Sequence, residues 1–179
     1  MRVISGKYKG RVLEGFNLDG TRPTMDRVKE SLFGMIQDYI DSSVVLDLFA
    51  GSGNLGIEAL SEGASYVYFV DKNKKAINII NNNISKLGDK NTRVINSDYK
   101  DALKNLKDKK FDLIFLDPPY NTNYIEESIK LIDMYDLIDD GLIICESDSL
   151  DKIIYSDKYT SVKSKKYGDK YIVILKKIW

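Results

Sequence analysis

Apolar positions along the chain switch repeatedly between two periods. Val44-Val45-Leu46-Asp47-Leu48, Tyr66 to Val70, Thr92 to Ile95, Phe111 to Leu116 and Leu142 to Glu146 are short β-prone runs, apolar enough for strands covered on both faces. Between them, apolar residues recur every three or four positions. Leu55 to Glu62, Lys74 to Leu87 (Ala76, Ile77, Ile80 and Ile84 inward), Asp101 to Leu106 and Ile125 to Ile138 therefore read as helices. A further helix is expected just after Pro23, running to about Ile40 on Met25, Val28, Leu32, Met35, Ile36 and Tyr39. Such strand-helix alternation predicts an α/β protein with a mostly parallel sheet between two helical layers. At the end, Tyr159 to Lys166 and Tyr171 to Lys176 flank Gly168-Asp169 as an antiparallel hairpin at the sheet edge. At the start, residues 2 to 13 form two β-prone runs around glycines, read as a small hairpin.

The 179 residues fit a single domain, with no repeat, linker or second boundary, and residues 1–22 form a basic arm on it. The 27 basic and 27 acidic residues cancel only in total. Residues 1–29 hold seven basic against three acidic side chains, and residues 158–179 seven against one, so the middle is strongly acidic. Four of the five arginines fall within the first 27 residues. Arginine grips phosphate with a planar fork, which makes Lys7, Lys9, Arg11, Arg22 and Arg27 candidate nucleic-acid contacts, although charge runs are also ordinary solvated faces.

There is no histidine, which excludes imidazole bases, serine or cysteine triads and histidine-ligated metal sites. No metal is expected. The lone Cys145 lies in an apolar strand and reads as a buried structural thiol. No apolar run approaches the roughly 18 residues of a membrane span, and the first residues lack a secretion signal's apolar core. A soluble, unprocessed cytoplasmic protein is expected, and a monomer.

After the first strand comes Asp47-Leu48-Phe49-Ala50-Gly51-Ser52-Gly53-Asn54-Leu55-Gly56, which satisfies G-x-G-x-x-G, with Asp71 ending the next strand. Alone, this would indicate a nicotinamide dehydrogenase. Asp47, however, falls where a dinucleotide's pyrophosphate would lie, and a carboxylate there repels phosphate. It suits a cationic ligand without phosphate, for which S-adenosylmethionine is the obvious candidate. Asp98 follows the third strand, where it could accept from an adenine amine, and Asp117 the fourth. Any one of these acids could be a helix cap, but all four stand at the strand ends where open α/β sheets bind ligands.

Asp117-Pro118-Pro119-Tyr120 is the most specific motif. Two prolines withhold two amide donors and fix the backbone, leaving carbonyls free. If Asp117 and the Pro118 carbonyl accept the two hydrogens of a nucleobase amine, its lone pair can be aimed at a methyl carbon, while Tyr120 stacks on an exposed base.

Together with Arg2 to Arg11, Thr21 to Phe33 and Leu55 to Leu60, these blocks resemble a known family over nearly the whole chain: bacterial methyltransferases of guanine N2 in 16S ribosomal RNA. The resemblance implies a Rossmann-like class I methyltransferase fold of seven strands, the last antiparallel. It implies S-adenosylmethionine as cofactor and S-adenosylhomocysteine as product. Asp47, Phe49, Gly51, Gly53, Asp71, Asp98 and Tyr99 would line the cofactor site, with Thr24 near its methionyl end. Asp117, Pro118 and Tyr120 would hold the base, and the substrate would be 16S rRNA in an assembling small subunit. Asn54 stands where a small residue is expected, and Tyr120 where phenylalanine is also found. The alternatives are an adenine-N6 methyltransferase of DNA or RNA and an inactive RNA-binding assembly factor; a protein-glutamine methyltransferase would more typically carry asparagine at position 117.

Overall fold

The computed structural model describes residues 1–16 and 23–178, with side chains from residue 25 onward in the second stretch; Thr21 and Arg22 lie outside the described residues, as does the side chain of Thr24. In chain order the elements are α1 (Pro23–Met35), β1 (Val44–Asp47), α2 (Asn54–Ser61), β2 (Tyr66–Asp71), α3 (Lys74–Leu87), β3 (Thr92–Asn96), α4 (Tyr99–Asn105), β4 (Phe111–Leu116), α5 (Tyr124–Met134), β5 (Ile138–Ser147), β6 (Tyr159–Tyr167) and β7 (Lys170–Lys177). The sheet order is β3-β2-β1-β4-β5-β7-β6. Strands β1 to β5 are parallel, and β7 is antiparallel to β5 and to the edge strand β6.

Alternation along each strand divides the core into two layers. Val45, Phe69, Leu113, Phe115 and Ile144 pack with residues of α1, α2 and α3 on one face. Leu46, Tyr68, Ile114, Leu116 and Cys145 pack with residues of α4 and α5 on the other. Burial pushes the Cys145 thiol pKa upward, which keeps it protonated and inert. The chain builds outward from β1 to β3 and then returns to β4 on the other side of β1. That reversal opens a crevice at the carboxyl ends of β1 and β4.

The largest departures from the sequence reading fall in α5, in α1 and at the N-terminus. Helix α5 stops at Met134, because Asp136 turns the backbone to φ 54° and the Leu137 amide donates back to the Ile132 carbonyl; Ile138 then opens β5. Helix α1 stops at Met35, and Gln37–Tyr39 form a separate 3₁₀ turn after Ile36 leaves helical geometry. The expected N-terminal hairpin forms without regular strands: one antiparallel bridge, Arg2 to Val12, is flanked by backbone bonds from Val3 to Arg11 and from Leu13 to Met1. The amides near its turn bond to α2. Ile4 and Ser5 N–H groups donate to the Glu58 carboxylate, while the Lys7 and Tyr8 amides donate to Ser61 on α2. Gly6, at φ 85°, passes so close to α2 that a Cβ would lie 1.9 Å from the Ser61 carbonyl oxygen.

Glu58 is also half of a buried ion pair with Lys29 at 3.0 Å. The Lys29 ammonium donates to the Arg2 carbonyl at 2.6 Å and to Asn54 Oδ1 at 2.8 Å, so its desolvation is offset on three sides. Lys29 is thus an internal strut between α1, α2 and the N-terminal segment rather than part of a basic face. Asn54, the unusual residue in the glycine loop, is one of its anchors.

Candidate active site

A cavity of about 740 Å³ lies over the carboxyl ends of the parallel strands. The N-terminal segment, α1, the loop after β1, the ends of β2, β4 and β5, and the β6–β7 turn all contribute to its lining.

Asp47, the last residue of β1, is 2% exposed, and its carboxylate accepts a hydrogen bond from the Gly56 amide at 3.0 Å. Burial, with Asp71 nearby, overrides that donor and pushes its pKa up to about 7. A desolvated acid of this kind gains most from a cation. Asp71 ends β2; one oxygen accepts from the Gly51 amide at 2.9 Å and the other from Asn73 at 2.8 Å. Each oxygen keeps a second lone pair. Asp98 caps α4 through the Lys100 amide, so the helix-cap function is real, yet the residue also lines the cavity and has a second oxygen.

Gly51 lines the cavity at φ 57°. Gly53 does not line it: at φ 87° it caps α2, and a Cβ there would face Ile57 and Phe69 in the core. Phe49 stacks on Tyr124 with ring centres 6.0 Å apart, and Tyr99 lies against both rings. The buried Tyr99 hydroxyl donates to Glu127, which fixes the ring's orientation.

Past the end of β4, Asp117 and Pro118 face the cavity. The Pro119 carbonyl is occupied by the Thr122 hydroxyl at 2.8 Å, whereas no described group donates to the Pro118 carbonyl. Asp117 holds its proton well above the usual carboxylate range, first through burial and then through Glu146, against the pull of Lys170. Tyr120 is 44% exposed, outside the cavity's inner lining.

Several lining residues belong to no sequence motif. Glu146 stands near the end of β5, a fifth acid in the row, and pairs with Lys170 Nζ at 2.9 Å. Tyr124 opens α5, and Met1, Gly15 and Phe16 come from the N-terminal segment.

Lys7, Lys9, Arg11 and Arg27, the described candidate phosphate contacts, do not line this cavity. Lys9 and Arg27 are exposed and line a shallow depression with Arg2 that meets the main cavity at Asp26. Lys7 is paired with Asp89 at 3.0 Å, and Arg11 donates to the Lys86 carbonyl at 2.8 Å. No helix among the described residues is long and apolar enough to cross a membrane.

The sheet order and the acids at its carboxyl edge define a Rossmann-like class I methyltransferase fold. The solved structure described as "Putative methyltransferase yhhF" of Escherichia coli superimposes with a TM-score of 0.88 at 31% identity, covering 99% of this chain and 97% of that one. The protein family described as conserved hypothetical protein 95 matches residues 1–176. The chain is 39% identical over 172 residues to ribosomal RNA small subunit methyltransferase D of Haemophilus influenzae, covering 94% of this chain and 89% of that one. It is 46% identical over 152 residues to the Bacillus subtilis protein named "Putative rRNA methyltransferase YlbH", covering 83% of each. The chain belongs to this family, that of the ribosomal RNA small subunit methyltransferase D proteins.

Proposed function

We propose that the protein methylates the exocyclic N2 amine of a guanine in 16S ribosomal RNA, within an assembling small subunit, using S-adenosylmethionine. The observation that carries this reading is the end of β4, where Asp117 and the unpaired Pro118 carbonyl open on the same cavity as Asp47, Asp71 and Asp98. The name borne by the Haemophilus influenzae relative supports small-subunit ribosomal RNA as the substrate. That substrate places the work in the cytoplasm, and the enzyme acts on it as a monomer.

The residues fit the cofactor. Asp47 offers a desolvated carboxylate to a cationic end, Asp71 two lone pairs to ribose hydroxyls, and Asp98 its second oxygen to an adenine amine. Phe49, Tyr99 and Tyr124 give an aromatic wall for the adenine. When bound, S-adenosylmethionine supplies a methyl group activated by its sulfonium. Asp117 and the Pro118 carbonyl accept the two amine hydrogens, making the nitrogen more pyramidal and directing its lone pair. Asp117 accepts through its carbonyl oxygen whether or not it carries a proton. Tyr120 stacks on the base at the rim, and catalysis is by positioning and electrostatics. Lys9 and Arg27, with the exposed lysines 163, 165 and 166 of β6, meet RNA phosphates, joined by Lys7, Arg11 and Arg22.

The test offers labelled S-adenosylmethionine with unmodified small-subunit particles, naked RNA and DNA. Label is expected on guanine N2 in the particles, and Asp117→Ala should abolish transfer while retaining cofactor binding. Label in DNA adenine, or undiminished transfer by the variant, would refute the proposal.

A further inference from the structure

The strand order β4-β5-β7 sets three polar side chains side by side at one edge of the cavity. Leu116 is in register with Cys145, so Asp117 and Glu146 follow on adjacent strands. Glu146 is in register with Ile172 and Ser147 with Tyr171, so Lys170 comes next on β7. Lys170 lies two residues beyond the partner of Glu146 and its side chain reaches back to that carboxylate, so Asp117, Glu146 and Lys170 line the cavity in that order. Glu146 is buried, and Lys170 Nζ lies 2.9 Å from its carboxylate. Burial works against the charge of Lys170, but Glu146 and then Asp117 outweigh it and keep the ammonium protonated. With one of its three hydrogens directed to Glu146 and Tyr120 also within its reach, at least one is left for a further acceptor.

The Watson–Crick edge of guanine reads, in order, one of the two N2 hydrogens, the N1 hydrogen and the O6 acceptor. Its complement is acceptor, acceptor, donor. We propose that Glu146 and Lys170 read this edge beside Asp117, Glu146 accepting from N1–H and Lys170 donating to O6. The inference rests on the function proposed above and adds the basis of base choice. Adenine or cytosine placed with its amine at Asp117 would turn a ring-nitrogen lone pair toward Glu146. Both are rejected by acceptor-acceptor repulsion rather than by shape. The ion pair thereby has a task beyond joining β5 to β7.

The test first locates the guanine labelled by the wild-type enzyme. Small-subunit RNA carrying guanine or 2,6-diaminopurine at that position is then prepared by ligation of a synthetic segment and assembled with subunit proteins. Diaminopurine keeps the N2 amine but presents a bare N1 and an amine in place of O6. The wild type should prefer guanine by at least about 100-fold in kcat/KM, roughly tenfold for each mismatched contact. Glu146→Gln, whose amide can either accept or donate, should cut this ratio by about tenfold or more, and Lys170→Met should cut it by about tenfold. S-adenosylhomocysteine binding by each variant checks that it is folded. Wild-type rates within about threefold on the two bases, or variants slowed equally on both, would overturn the inference and leave the proposed function intact. If the wild type labels no small-subunit guanine at all, the function proposed above fails first.

Discussion

Asp47 couples the acidity of the site to the stability of the fold. In the free protein its pKa is about 7, against 3.8 for an exposed aspartate, because the carboxylate is buried and Asp71 lies close by. The folded value is the higher one. This contribution to stability is therefore fully present below pH 3.8 and is lost progressively as the pH rises to about 7. At roughly 1.4 kcal/mol per unit, the ionised carboxylate destabilises the fold by about 4 kcal/mol at pH 8, of which about 3 kcal/mol develops between pH 5 and pH 8. Asp47→Asn has the same shape and does not ionise. Terms that do not vary with pH, such as burying the amide, cancel when the variant and wild type are compared at two pH values. Asp117 also repels Asp47, so the substitution relieves it in the same direction. Urea denaturation should show the variant gaining about 3 kcal/mol on the wild type between pH 5 and pH 8. Its affinity for S-adenosylmethionine should fall, since the carboxylate that answers the cation is gone. A stability gap that stays flat or narrows with rising pH would refute the account of Asp47 as a desolvated acid. Unchanged cofactor affinity would remove it from the cationic end.

Three further outcomes follow from the packing and the charges. Lys29→Met removes the cation of a buried pair and leaves Glu58 to the Ile4 and Ser5 amides and to Glu62, so unfolding free energy should drop by about 3–5 kcal/mol in denaturant titration. A loss under about 1 kcal/mol would mean that water reaches Glu58. Gly56→Ala sets a Cβ 2.3 Å from the Phe69 ring inside the core; overpacking of this kind should cost about 1–3 kcal/mol, read as a lower melting temperature, although the position does not line the cavity. Paired Lys9→Ala and Arg27→Ala substitutions should weaken small-subunit RNA binding and flatten its salt dependence by about two counterions, with S-adenosylmethionine affinity unchanged by calorimetry.

The two-layer architecture was legible because strand and helix periods alternate cleanly. Lys74–Leu87 carries its own start and stop signals, an Asn73 side chain capping its first turn and Gly88 at φ 67° after its last. Where apolar character runs across a boundary, periodicity loses the boundary. Leu137 and Ile138 extend the apolar pattern of α5, and only the positive φ of Asp136 separates them from it. The N-terminal glycines signal turns correctly, but the partners of the intervening amides are Glu58 and Ser61, more than fifty positions away. No local pattern encodes that choice. Nor does segmental charge reveal that Lys29 belongs to the interior, because one lysine in a basic stretch reads the same in water or beneath Asn54.

The site divides along the same line. Asp47, Asp71, Asp98 and Asp117 were recognisable because each follows a strand and precedes a loop or helix start, so one rule finds all four. Glu146 obeys that rule too, at the end of Leu142-Ile143-Ile144-Cys145, but no motif follows it to draw notice. Lys170 obeys no such rule. It reaches Glu146 only because β7 inserts between β5 and β6, so that the hairpin's inner strand delivers a cation to the acid beside Asp117. A local motif can thus specify how an amine is held, while the choice among bases bearing amines depends on strand order, which is set by the assembly of the whole sheet.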